Sequence, residues 1–214
     1  MKLTIGKRII LGFTATILVT AGLGSFAYTK LNAIDAQRHI IVEEAIPSTE
    51  AASAIETNTI RAIAFCLEHI VEEKPEGMDK LRVALQGVSD TCTKLYKEME
   101  DKLDTPESRK LYEAAMAARP AYAAGRDKVL ALSVAGKKKE AIEAFNTDLY
   151  PSFSKLRDAV VALAEYNRKN AAEAGKSITA AIDSGRMGLM VGIGVALAFG
   201  VGFAYVITRS TNKV

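Results

Sequence analysis

The chain has 214 residues, of which 49% are hydrophobic and 25% are charged, yet its formal net charge is only +3. This mixture indicates that charged and apolar residues are segregated into different segments. The small net charge, without basic runs interleaved with aromatic residues, excludes nucleic acid as an expected partner. Glycine and proline are sparse in the central part and tryptophan is absent, a composition that favours long helices over sheet.

Two segments without charged residues flank a polar middle. They cover residues 9–29 and 187–208, and each is long enough for the ~20 residues that a helix needs to cross a hydrocarbon core. Lysine and arginine in the short tails, residues 1–8 and 209–214, predict that both tails are cytoplasmic. Residues 30–186 would then lie on the other side of the membrane. For the first span, a cleaved signal peptide is the alternative.

The polar middle shows four apolar patterns with helical spacing. They are separated by breaks at residues 74–77, 104–108 and 136–139. At the second break, Thr105 or Asp104 is the predicted N-cap of the third helix. Because short connections require antiparallel neighbours, we predict an all-α fold, an antiparallel up-down-up-down four-helix bundle. Its first and last helices are expected to be continuous with the two membrane spans.

Two patterns on the first bundle helix predict two packed faces. The pattern expected to face the core consists of Ala45, Thr49, Ala52, Glu56, Ile60, Ile63, Leu67 and Ile70. The pattern on the opposite side consists of Ala51, Ala54, Asn58, Arg61, Phe65 and Glu68. Because Phe65 and small alanines recur there in a heptad register, we expect a second copy of the chain on this face, with ordinary solvation as the alternative. The sequence therefore predicts a homodimer.

The third helix turns two cations toward its apolar side. Tyr122 lies on the core pattern, and Arg119 and Arg126 lie within about 60° of it around the helix axis. Since buried cations need partners, two interpretations remain open. In the first, they form structural ion pairs with Glu56, Asp90 or Asp148. In the second, the two guanidinium groups and the phenol form a pocket for a carboxylate, because arginine offers planar paired donors.

Further candidate binding residues lie on the first two helices. Thr91 is expected in the same layer as the two arginines, and Arg61 with Asn58 forms a second candidate anion site on the outer face. In a dimer, Arg61 would meet its twin, and two like charges would invite an anionic ligand. The two cysteines, Cys66 and Cys92, fit no metal or redox motif; we expect free, buried thiols.

No pattern indicates catalysis. A nucleophile–base pair, a glycine-rich phosphate loop and metal-ligand spacing are all missing from the sequence. His39 and His69 are isolated on one helix and are expected to be solvated or interfacial. We therefore expect no enzyme activity, no cofactor and no metal site.

The whole layout resembles the sensory half of bacterial methyl-accepting chemotaxis proteins of the four-helix-bundle type. The resemblance is carried by the N-terminal MKLTIGKRIILGF, by IPSTEAASAIETNTIRA, and by RPAYAAGRDKVLALSVAGKKKEAIEAFNTDLYPSFSKLRDAVVAL. It implies a homodimer in the inner membrane whose periplasmic bundle binds a small molecule and shifts the second span by a piston-like displacement. In such receptors, first-helix arginines bind amino-acid carboxylates, and Arg61 matches them best. Arg119, Tyr122 and Arg126 resemble the carboxylate-binding face of organic-acid sensors.

The same resemblance places a HAMP linker where this sequence ends, after Arg209. We expect cytoplasmic signalling partners to act only through a C-terminal part that this sequence lacks. The expected function is that of a chemoreceptor sensor module for a carboxylate, an organic acid or an amino acid. The alternatives are a sensor module of a histidine kinase or cyclase, and a structural membrane-anchored bundle that binds nothing.

Overall fold

A computed structural model describes residues 4–103 and 105–211, and no strand occurs in these ranges, so the predicted all-α class is confirmed. The helices are α1 (Ile5–His39), α2 (Ile46–Val71), α3 (Pro75–Glu100), α4 (Pro106–Val134), α5 (Lys138–Ala144) and α6 (Tyr150–Thr211). Two π-helical segments, Ile40–Ala45 and Phe145–Leu149, precede α2 and α6. The chain divides into two compact units, residues 40–173 and residues 1–39 with 174–214.

The unit of residues 40–173 is the predicted antiparallel four-helix bundle. α2 packs along α3, and α4 packs along α5 and the π-helical segment that follows it. The Arg157 side chain of α6 donates to the Glu56 carboxylate of α2 at 2.9 Å, and Asn167 donates to the Ser48 hydroxyl at 2.7 Å. Because later residues of α6 meet earlier residues of α2, these two helices are antiparallel.

Both ends of α4 are determined by local signals that can be recognised in the sequence. Thr105 is the N-cap, and its hydroxyl accepts from the Ser108 backbone N–H in a capping box; Asp104, the other predicted cap, lies outside the described residues. At the other end Gly136 has φ +70°. The backbone N–H groups of Gly136 and Lys137 then bond to the Ser133 and Leu132 carbonyls, a Schellman motif that ends the helix.

Each π-helical segment ends two residues before a proline. Ile40–Ala45 precedes Pro47, and Phe145–Leu149 precedes Pro151. Proline has no N–H to donate and its ring crowds the preceding turn, so the backbone widens locally. After the second segment, the Ser152 hydroxyl donates to the carbonyl oxygens of the segment's last two residues at 2.7 and 2.9 Å. The widened turn thereby keeps its carbonyl groups bonded.

The core face of α2 differs from the predicted one. The buried residues of this helix are Ser48, Ala51, Ala52, Ile55, Thr59, Ala62, Cys66, His69 and Ile70. Ile60 and Leu67, which were expected in the core, are 47% and 45% exposed. The middle of the predicted face was wrong by one residue, about 100° around the axis. The predicted core face was chosen for its large apolar side chains. In the structure, alanine, threonine and cysteine fill the space where the helices come close.

Two predictions about single α2 residues also need correction. His69 is 0% exposed, so the expectation of a solvated or interfacial histidine was wrong. Ser133 donates its hydroxyl hydrogen to the His69 carbonyl and lies 2.8 Å from the ring Nδ1, so Nδ1 must carry the proton that this contact needs. Phe65 is half-buried and packs against the core of its own chain, so it does not need a second copy to cover it. The homodimer stays a prediction.

The second unit consists of α1 and the C-terminal part of α6. Their apolar side chains pack against each other near Gly12, Gly188 and Gly192, where Phe203, Phe26 and Leu23 respectively lie close to the glycine backbone. Both helices are long and apolar enough to cross a membrane, and their apolar windows are not buried inside the protein. Lys2 and Lys213, which contribute to the predicted orientation, lie outside the described residues.

Candidate functional site

A cavity of about 340 Å³ opens within the bundle between α2, α3 and α4. Its lining residues are Thr59, Ala62, Leu85, Val88, Ser89, Cys92, Tyr96, Met116, Arg119, Pro120, Tyr122, Ala123, Arg126 and Leu156. Three predicted site residues, Arg119, Tyr122 and Arg126, are therefore brought together in one cavity. Pro120 stands inside α4 and has no N–H, so the helix lacks one backbone bond beside the cavity.

Arg119 lines this cavity, and the groups that its guanidinium contacts among the described residues are neutral. Its guanidinium carbon lies 4.4 Å from the centre of the Tyr96 ring, a cation–π contact that holds the group in place. Its N–H groups reach the Thr93 hydroxyl at 3.1 Å and the Met116 sulfur at 3.5 Å. No carboxylate of the described residues forms an ion pair with Arg119, so its charge has no counter-charge within the described part of the chain.

Arg126 differs because it has a partner next to it in the chain. Its Nε and Nη2 donate to the same carboxylate oxygen of Asp127 at 3.0 and 2.9 Å. The partners predicted for the two arginines bind other groups. Glu56 pairs with Arg157, Asp148 with Lys128, and Asp90 accepts from Gln86. The ion-pair interpretation was therefore wrong in each of its proposed partners.

Two tyrosines that line the cavity carry unpaired hydroxyls. The hydroxyl oxygens of Tyr96 and Tyr122 are buried and have no hydrogen-bond partner in the described parts of the chain. Burial raises the pKa of both phenols well above its ordinary value, so both hydroxyls stay protonated and can donate. A buried polar group without a partner costs free energy.

The two cysteines are free, as expected. Cys66 is fully buried, and desolvation raises the pKa of its thiol to about 12. Cys92 is half-buried and lines the cavity; burial also raises the pKa of this thiol, although a hydrogen bond with Thr59 opposes the effect. Neither environment stabilises a reactive thiolate.

The other three predicted site residues do not line this cavity. Arg61 is exposed on α2. Asn58 donates its side-chain amide to the Ala54 carbonyl at 2.9 Å, and Thr91 donates its hydroxyl to the Gly87 carbonyl at 2.8 Å. A role for them would need a different site, such as the predicted interface between two copies.

Sequence reasoning missed Tyr96, which supplies both a stacking surface and an unpaired hydroxyl. Its helix, α3, also carries the apolar residues Cys92, Leu95 and Met99. Tyr96 lies four residues after Cys92 and three before Met99, and helical spacing puts it on the same face. That spacing was the signal that could have identified it.

The described residues hold no cluster of three histidine, cysteine, aspartate or glutamate side chains that could bind a metal. The cavity walls consist of two arginines, two tyrosines, apolar side chains and the small polar residues Thr59, Ser89 and Cys92.

Comparison with known proteins agrees with this architecture. No curated protein matches the chain. A family model described as a four-helix-bundle sensory module for signal transduction matches residues 2–182. The match covers both the first apolar helix and the bundle, and it confirms the resemblance that the sequence shows. The chain belongs to the family of four-helix-bundle sensory modules for signal transduction.

Proposed function

We propose that this sensory module binds a small carboxylate in the cavity between α2, α3 and α4 and signals its presence across the membrane in chemotaxis. The observation that carries the proposal is Arg119, a cation in the cavity wall whose guanidinium contacts only neutral groups among the described residues. A half-buried guanidinium without a counter-charge is unfavourable in the empty protein. A carboxylate would supply that counter-charge through two parallel hydrogen bonds.

One helix that lines the cavity continues far beyond it. α6 contributes Leu156 to the lining and extends to Thr211. We propose that residues 9–29 and 187–208 cross the inner membrane, that residues 30–186 are periplasmic, and that the module works as a homodimer. Ligand binding would then shift α6 along its axis. Uncharged spans bounded by Lys30, Arg186 and Arg209 support this arrangement.

The test is a binding measurement on the full chain in lipid nanodiscs. Isothermal titration with a panel of benzoate, succinate, citrate and aspartate identifies which carboxylate binds. Arg119→Gln removes the charge from the cavity, and we expect it to weaken binding at least about tenfold, the effect of losing one charge-assisted hydrogen bond. Arg61→Ala is the matched control, since it removes a guanidinium outside the cavity.

Two results would contradict the proposal. If Arg61→Ala abolishes binding and Arg119→Gln does not, the ligand binds on the outer face of α2. If no carboxylate in the panel binds the wild-type chain, the cavity does not serve a carboxylate receptor.

A further inference from the structure

We propose that the cavity selects a carboxylate with one negative charge and a compact apolar body, in preference to dicarboxylates and amino acids. This inference rests on the proposed function and narrows it to one class of ligand. It combines the charges around the cavity, the chemistry of its walls and the two unpaired hydroxyls.

The charges around the cavity match a monoanion. Two guanidinium groups line it, but Asp127 already accepts two hydrogen bonds from Arg126. The cation that remains without a counter-charge is Arg119. One carboxylate balances it, whereas the second carboxylate of a dianion would enter an apolar site unpaired, which is costly. Arg119 is therefore the anchor, and stacking on Tyr96 at 4.4 Å holds its plane fixed for a two-pronged contact.

The cavity walls suit the apolar part of a ligand, and their described residues provide no counter-charge for an ammonium group. The apolar lining residues are Ala62, Leu85, Val88, Met116, Pro120, Ala123 and Leu156. None of the described residues in the lining carries a carboxylate. The ammonium group of an amino acid would give up its hydration without gaining a counter-charge. An uncharged ring or short branched chain would instead bury apolar surface against these side chains.

Tyr96 and Tyr122, which line the cavity, carry two further hydrogen-bond donors. Both are buried and unpaired in the described structure, and Tyr96 is only 3% exposed. Each hydroxyl oxygen is shielded from the unliganded cavity, and it can donate to a ligand oxygen once its side chain turns toward the ligand. A carboxylate with such a body would therefore satisfy the guanidinium, the apolar walls and the hydroxyls together.

The test compares three probes that share one ring. Benzoate carries one negative charge, terephthalate adds a second carboxylate, and 4-(aminomethyl)benzoate adds an ammonium group. Titration calorimetry of the full chain in nanodiscs should show benzoate binding at least about tenfold more tightly than either analogue. Tyr96→Phe and Tyr122→Phe should each weaken benzoate binding severalfold without unfolding the protein.

Asp127→Asn provides the sharper test of the charge argument. It removes the counter-charge of Arg126 at an exposed position, so we expect terephthalate to gain at least about tenfold in affinity relative to benzoate. Asp90→Asn is the matched control, because it makes the same charge change on an exposed residue that bonds to Gln86 and does not line the cavity. This control should leave the selectivity unchanged.

The outcomes separate this inference from the proposed function. If terephthalate or succinate binds the wild type more tightly than benzoate, and Arg119→Gln still weakens that binding, the selectivity inference is wrong and the carboxylate site stands. Equal selectivity in Asp127→Asn and wild type would also overturn the charge argument. If Arg119→Gln leaves all binding intact, both proposals are wrong. Should Arg119→Gln fail to fold by circular dichroism, Arg119→Lys replaces it, and unchanged benzoate affinity in that variant would contradict the two-pronged contact.

Discussion

Gly125 of α4 packs directly against the backbone of a neighbouring segment, which leaves little room for a side chain. A Cβ added there would lie 2.9 Å from the Leu149 Cα, 3.1 Å from the Leu149 nitrogen and 3.2 Å from the Asp148 carbonyl carbon. These are backbone atoms of the π-helical segment, which cannot rotate away as a side chain would. We therefore predict that Gly125→Ala destabilises the bundle and moves Arg126, its neighbour, away from its present position.

The magnitude follows from a matched control. Gly87 lies exposed inside α3, and a Cβ there would meet nothing within 4 Å. Gly87→Ala should stabilise the bundle by about 0.5–1 kcal/mol, because alanine favours helix. Gly125→Ala gains the same helix propensity but forces backbone apart, which costs about 1–3 kcal/mol in packed cores. The free energies of unfolding of the two variants should therefore differ by about 1–3 kcal/mol.

Thermal and denaturant unfolding of the full chain in nanodiscs measures this difference. Tyrosine fluorescence is a suitable probe, since tryptophan is absent and Tyr96, Tyr112 and Tyr122 are buried or half-buried in the bundle. If Gly125→Ala stabilises the bundle as much as Gly87→Ala does, α4 does not contact the π-helical segment as described, and the position of Arg126 has to be reconsidered.

Three further predictions concern buried polar and sulfur groups. Desolvation, followed by the Arg82 charge, lowers the pKa of His69 below 6.5, and a backbone hydrogen bond and the Asp79 carboxylate only partly oppose this. Protons then bind the unfolded state more readily, so this contribution to stability is complete above pH 6.5 and is lost as the pH falls below it, with a slope of at most about 1.4 kcal/mol per pH unit. His69→Asn should lose this slope in unfolding measurements; an identical pH profile would refute it. Asn167→Ala leaves the Ser48 hydroxyl buried without its donor and should cost about 1–3 kcal/mol, whereas Ser48→Ala combined with Asn167→Ala should cost less than the sum of the two single changes; full additivity would count against the hydrogen bond. In native protein at mildly alkaline pH, iodoacetamide should modify Cys92 faster than Cys66, since only Cys92 is partly exposed; the reverse order by mass spectrometry would contradict the burial.

The sequence predicted the fold class and the helix boundaries well, because these depend on local signals. Thr105 before Pro106 starts α4, and Gly136 ends it, for reasons that lie within a few residues. The face of α2 was harder to predict, because the core there is filled by Thr59, Ala62 and similar small residues while Ile60 is exposed. Hydrophobicity alone favours the larger side chain, and only the neighbouring helices determine which face they cover.

The candidate site was predicted in part for a similar reason. Helical spacing brought Arg119, Tyr122 and Arg126 to one side of α4, and they do line one cavity. The groups that the two arginines contact could not be predicted. Which side chains meet between two helices depends on how far the helices are shifted along the bundle axis, and the widened turn before α6 changes that shift. The adjacent Asp127 was overlooked for Arg126, since neighbours in a helix generally point apart.

The most direct test of the central claim is protection of Cys92 by a carboxylate. Cys92 lines the same cavity as Arg119, so a ligand bound there should block access to its thiol. The measurement is the alkylation rate of Cys92 in the full chain, with and without saturating benzoate, in the wild type and in Arg119→Gln. We predict that benzoate slows the wild-type reaction severalfold and leaves the variant unaffected. If benzoate binds the wild type and the Cys92 rate does not change, the ligand binds outside this cavity.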